Sequence, residues 1–95
     1  MPSYRPAIPP EVAEVIRHLP PQVKRAVRAA IQALTDDPDA GEPLHGELQG
    51  WFKYRVRRFR IVYGIDRPQR TVRILSVGHR RSVYEDLAER SGDDE

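Results

Sequence analysis

The stretch WFKYRVRRFRIVYGID, residues 51–66, decides the fold. Aromatic or aliphatic side chains alternate with polar ones through Phe52, Tyr54 and Val56, then again through Phe59, Ile61, Tyr63 and Ile65. A period of two belongs to strands with one covered face and one open face. Arg57-Arg58 interrupts the alternation, so the two runs read as an antiparallel hairpin with those residues at its turn. Residue 56 then pairs with 59, 55 with 60, 54 with 61 and 52 with 63. The apolar set faces the helices, while Lys53, Arg55 and Arg60 share the other face, with Arg55 directly across from Arg60. Like charges opposed in a sheet destabilise it, so this pair calls for full solvation or an anionic ligand. A two-residue primed turn prefers Gly, Asn or Asp, and Arg-Arg supplies none of these, which leaves room for a longer or distorted turn.

Moving outward, Pro68 marks a second turn over Arg67–Arg70, and Thr71 to Gly78 reads as a third strand. A continuing meander brings His79 or Arg80 near Arg60. A short helix from about Val83 to Glu89 precedes the acidic Asp93, Asp94 and Glu95. On the N-terminal side, Thr35 to Gly50 is loop by composition, pinned to the core by Leu44 and Leu48. Before it, Val23, Ala26, Val27, Ala30, Ile31 and Leu34 form one stripe of a helix beginning at Pro21, with Lys24, Arg25 and Arg28 on its solvated side. Val12, Val15, Ile16 and Leu19 predict a shorter helix ended by Pro20 and Pro21. Ser3 to Ile8 suits a short strand, placed at an edge by Pro6. The expected architecture is α+β: an N-terminal strand and helical hairpin packed on a small, mainly antiparallel twisted sheet, with a short C-terminal helix. Residues 1–95 form one domain, with 91–95 as a flexible acidic tail.

The charge is unevenly placed. Ten Lys or Arg residues and one acid, Asp66, lie between Lys53 and Arg81, a local balance of +9 inside a chain of net charge +2. Fourteen of the sixteen cations are arginine, from selection for bidentate phosphate contacts or from codon bias. Bias would spread arginine evenly, whereas residues 1–52 sum to −2. Cations gathered on a small sheet point to phosphate. With no cysteine there is no disulfide, thiol nucleophile or thiolate ligand, in keeping with the cytoplasm. No apolar run is long enough to span a membrane and no signal peptide is apparent.

Lys53, Arg55, Arg60 and Arg80 are the candidate phosphate groove, against the plainer reading of a solvated face that blocks edge aggregation. Arg57, Arg58, Arg67 and Arg70 fall at turns, where they suit steering or docking onto RNA. His79 is either a base for proton transfer or a strand-end histidine bonded to backbone. Tyr84 stacks on a base, donates its phenolic proton, or fills the core. Trp51 and Tyr4 read as core or edge residues. No metal-ligand spacing, Gly-rich phosphate loop or nucleophile elbow appears, so neither metal nor cofactor is expected.

Taken in order, Leu44-x-Gly46-x-Leu48-x-Gly50, Phe52-Lys53-Tyr54-Arg55-Val56, Phe59-Arg60-Ile61-Val62-Tyr63 and Val77-Gly78-His79-Arg80-Arg81-x-Val83-Tyr84 resemble the RelE/ParE superfamily of toxin-antitoxin toxins, closer to its RelE branch. The resemblance covers nearly the whole chain. It implies a metal-independent endoribonuclease that cleaves mRNA on the ribosome and is silenced by a cognate antitoxin. Implied partners are mRNA, the 16S rRNA of the ribosome, and operator DNA through the antitoxin complex. It further implies roles for Lys53, Arg55, Arg60, Arg80 and Tyr84, with Tyr84 or His79 moving protons. Arg57-Arg58 replaces the small turn residues usual in the family, and these two arginines with Arg81 read as further RNA contacts. The alternatives are a gyrase poison of the ParE type and a catalytically inactive nucleic-acid-binding member. The Gly78 to Tyr84 ending favours the RNase.

Overall fold

The computed structural model describes residues 4–79. The element order is β1 (Arg5–Ala7), α1 (Pro10–Arg17), α2 (Pro21–Asp36), a 3-10 turn (Pro38–Ala40), β2 (Glu42–Pro43), a second 3-10 turn (Gly46–Leu48), β3 (Phe52–Val56), β4 (Phe59–Asp66) and β5 (Thr71–His79). The five strands form one sheet in the order β1-β5-β4-β3-β2. β1 runs parallel to β5, and every other neighbouring pair is antiparallel. The stretch expected to form a C-terminal helix, the acidic tail, and Arg80, Arg81 and Tyr84 lie outside the described residues. No described helix is long and apolar enough to cross a membrane.

Both helices start on proline. Pro10 and Pro21 occupy first-turn positions, where a missing N–H costs no intrahelical bond. The α2 stripe is the one its spacing predicts: Val27, Ala30, Ile31 and Leu34 are buried, with Val23 and Ala26 packed at the margin. They meet Val56, Ile61, Tyr63, Val72, Ile74 and Val77 from the sheet, joined by Val12 and Ile16 of α1. Val15 departs from its predicted stripe and is 44% exposed: α1 turns Val12 and Ile16, four residues apart, to the core, and Leu19 packs at the margin beyond its end. Pro6 sits on an edge strand, as its missing donor requires.

The loop after α2 is more ordered than its composition suggests. Glu42 and Pro43 pair with Lys53 and Phe52, adding a two-residue edge strand. Tyr63, fully buried, holds this segment by donating its hydroxyl hydrogen to the Pro38 carbonyl at 2.7 Å and accepting from the Gly41 N–H at 3.0 Å. A Cβ at Gly41 would stand 2.5 Å from the tyrosine oxygen and 2.6 Å from the Lys53 carbonyl, so close approach demands glycine there. Leu44 and Leu48 do pin the loop. They cover the opposite face of the sheet, in a second small cluster with Val62, Trp51 and Leu75.

Candidate functional site

The β3–β4 register places Arg55 opposite Arg60, Lys53 opposite Val62 and Val56 opposite Phe59, as the alternation predicts. The turn is a two-residue loop after all. Arg57 takes a φ of 57° while Arg58 stays out of the left-handed region, the φ pattern of a type II′ turn that glycine normally opens. The hairpin tip therefore stores strain at a cationic residue.

Lys53 and Arg55 fall on one face of β3, and Trp51, the residue just ahead of it, continues that row, because side chains two apart in extended chain point the same way. Arg60 joins them from β4, where Gly78 of β5 stands across from it and contributes no side chain. Arg55 is exposed and Lys53 half-buried, whereas Arg60 is only 5% exposed. Full solvation therefore does not describe Arg60. Its position on a central strand accounts for this, and a guanidinium held in lower dielectric interacts more strongly with any charge it meets.

His79 is placed differently from the expectation that it lies near Arg60. The β4–β5 ladder shifts register between Val62 and Tyr63, so Val62 pairs with Ser76 while Tyr63 pairs with Ile74. Leu75 is the extra residue of this bulge, and one added residue turns every later side chain to the other face. Phe59 consequently pairs with His79, and their rings pack with centroids 4.4 Å apart at 31°. His79 thus lies on the helix-side face, away from the face of Arg60.

The basic window also divides electrostatically. At the end away from the hairpin tip, Arg67 bonds Asp39 at 2.8 Å and Arg73 bonds Asp66 at 3.2 Å. The Asp39 hydrogen bond raises the Arg67 pKa further, keeping it charged. Among the described residues, no acid lies within ion-pair distance of Lys53, Arg55, Arg57 or Arg58. Glu42 stands opposite Lys53 in register without pairing to it. Away from the tip two arginines of the window are thus matched by acids, while the cations of β3 and its turn are not. Also among the described residues, no three His, Asp or Glu side chains gather as metal ligands.

The same face ends in an open cleft of about 540 Å³ between Trp51, Asp66, Arg67 and Arg73. Gly64 forms its floor: a Cβ there would approach the Trp51 ring to 2.9 Å. Sequence reading assigned Trp51 to core or edge and missed this cleft. The signal was present, since extending the hairpin register by one step sets a tryptophan across from a glycine.

A family model described as the ParE toxin of type II toxin-antitoxin systems (parDE) matches residues 9–84. Toxin RelG of Mycobacterium tuberculosis is 39% identical over 71 residues, covering 73% of this chain and 82% of that protein. A chain of the RelBE2 toxin-antitoxin complex from the same organism is 34% identical with a TM-score of 0.75, over 82% of this chain and 99% of that one. The isolated Escherichia coli RelE toxin superposes with a TM-score of 0.70 over 92% of this chain and 97% of its own, at 22% identity, a likeness of fold.

Proposed function

The chain belongs to the RelE/ParE superfamily of type II toxin-antitoxin toxins, and from that premise we propose that it is a metal-independent endoribonuclease acting in the cytoplasm on mRNA held by the ribosome. The observation that carries the reading is the face shared by Lys53, Arg55 and Arg60, with cations set across from one another in register and no acid paired to Lys53 or Arg55 among the described residues. Such a surface suits a polyanion that supplies the missing negative charge.

The reaction is attack of a ribose 2′-hydroxyl on the adjacent phosphorus. The 2′-hydroxyl gives up its proton, the P–O5′ bond breaks as the P–O2′ bond forms, and the departing 5′-oxygen takes up a proton, leaving a 2′,3′-cyclic phosphate and a 5′-hydroxyl. Lys53 and Arg55 hold the backbone for in-line attack. Arg60, with Arg80, stabilises the charge gathering on the phosphorane oxygens, where a donor in a poorly solvated setting is most effective. Tyr84 is the better candidate for proton transfer, because the His79 ring packs on Phe59 across the sheet from Arg60. Arg57, Arg58 and Arg81 add contacts to the 16S rRNA and the message, and a cognate antitoxin with an acidic segment covers the cationic face between activations. That antitoxin complex also brings the chain to operator DNA.

Inducible expression tests this directly. Translation should stop, with mRNA cut at ribosome-bound codons into fragments bearing 5′-hydroxyl ends, and chelators should leave cleavage by the purified protein unchanged. Arg60→Ala or Arg80→Ala should lower the cleavage rate by about 100-fold or more, the scale of losing one charge-stabilising donor. Arg60→Lys, with circular dichroism, separates loss of chemistry from loss of fold at a buried position. Toxicity that persists with both arginines removed overturns the assignment. Because the matching family model is that of ParE, a gyrase poison is the second reading, and gyrase-linked DNA breaks without mRNA cleavage would establish it.

A further inference from the structure

The face that carries the cations does not end with them. Trp51, Lys53 and Arg55 are spaced two residues apart along β3 and the residue just ahead of it, so an aromatic and two cations make a single row. From the Arg55 and Arg60 pair back to Trp51, just ahead of β3, the row covers four residue steps, about 13 Å at roughly 3.3 Å each. That is the length of a short run of nucleotides. At its end the cleft opens, about 540 Å³ in volume. The indole rests against the bare backbone of Gly64, and Arg73 stands across from that glycine on β5.

The chemistry of the cleft is that of a base-stacking platform. Trp51 is only half-buried, although it belongs to the small cluster of Leu44, Leu48 and Val62 that anchors it. Arg67 and Arg73 remain 57% and 65% exposed at the side chain despite their acidic partners, so both can still meet a phosphate. Asp66 accepts from the Gln69 N–H at 3.1 Å and from Arg73 at 3.2 Å, which fixes the guanidinium at the cleft wall. An aromatic platform flanked by cations, in line with a cationic track, is how proteins hold single strands without reading their sequence.

We propose that this cleft is a second RNA subsite, in which a base of the strand held by Lys53 and Arg55 stacks on Trp51. The inference rests on the RNase reading and extends it from the scissile phosphate to the neighbouring nucleotides. Its consequence is a longer footprint than the arginine cluster alone provides. Binding there adds affinity and register, while charge stabilisation stays with Arg60 and Arg80.

Trp51 is the only tryptophan in the chain, so its emission reports this cleft alone. The test titrates the full chain with two 2′-O-methyl oligonucleotides of equal length, one bearing all its bases and one abasic throughout. Both lack the 2′-hydroxyl nucleophile and survive the measurement. The base-bearing strand should quench Trp51 and bind about ten-fold or more tightly than the abasic one, the scale of one base–aromatic stack. Trp51→Phe should keep most of that advantage and Trp51→Leu should lose it, with the salt dependence unchanged because the phosphate contacts remain. Saturation by anisotropy with unaltered Trp51 emission, and equal affinity in Trp51→Leu, would overturn the subsite and leave the RNase reading standing. Failure of both oligonucleotides to bind at low salt would overturn the two together.

Discussion

Tyr63 shows how much can depend on one side chain. Its hydroxyl serves Pro38 and Gly41 at once, and those residues lead into the edge strand beside Lys53. Tyr63→Phe leaves a carbonyl and an N–H without their partner, which should cost about 1–3 kcal/mol in denaturant unfolding. Burial raises the Tyr63 pKa, with the Gly41 N–H acting in the opposite direction. A phenol whose folded pKa is raised contributes stability that is intact below its unfolded value, near ~10, and is lost as pH rises through the folded value. Wild type should therefore lose stability in alkali more steeply than Tyr63→Phe, as pH-dependent melting would register. Arg57 gives a prediction of the opposite sign. Its φ of 57° is strained for any residue with a Cβ, so Arg57→Gly should raise the melting temperature, by about 1 kcal/mol of added stability. If Arg57 contacts RNA as proposed, the same variant should bind RNA more weakly, and an unchanged affinity would remove Arg57 from the interface.

Among the elements, α2 has its apolar stripe in place and its charges reversed. Lys24 and Arg25 stand near the N-terminus while no acid occupies the first turn, and Pro20 provides no side-chain cap. Because that terminus favours negative charge, Gln22→Glu should stabilise the chain by about 0.3–1 kcal/mol in thermal unfolding at low salt, and the gain should fade as salt is added. Much of this level was legible in the sequence. The alternation on either side of Arg57-Arg58 marked the β3–β4 register and both faces, and the proline pairs marked the helix starts. What escaped depends on contacts remote in sequence. Glu42 and Pro43 form a strand only because Lys53 and Phe52 present an unpaired edge to them, and no local pattern announces the Leu75 bulge that carries His79 across the sheet. The arginine row was readable as a row, but the pairing of Arg67 with Asp39 brings together two loops that the sequence keeps far apart.

At the scale of the whole molecule, charge is sorted between the ends of the sheet. Arg67 and Arg73, near the β4–β5 turn, are matched by acids, and Arg57 and Arg58 at the β3–β4 tip are not, among the described residues. RNA affinity should then follow the few cations of the proposed groove. Four single-strand phosphate contacts, from Lys53, Arg55, Arg60 and Arg80, predict a log–log salt slope of roughly −2.8. A slope near roughly −7 would mean instead that the whole ten-cation window engages phosphate. The parallel pairing of β1 with β5 bears on when the molecule comes into being. β1 leaves a ribosome well before β5, which lies between β1 and β4 in the sheet, so β1 has no strand to pair with until β5 follows. The β3–β4 hairpin can close locally, yet the core it shares with α1 and β5 must wait. Nascent chains arrested before β5 emerges should remain protease-sensitive throughout and become resistant in one step once it is exposed. A chain proposed to attack ribosomes would then complete its own sheet only after β5 has left the ribosome that makes it.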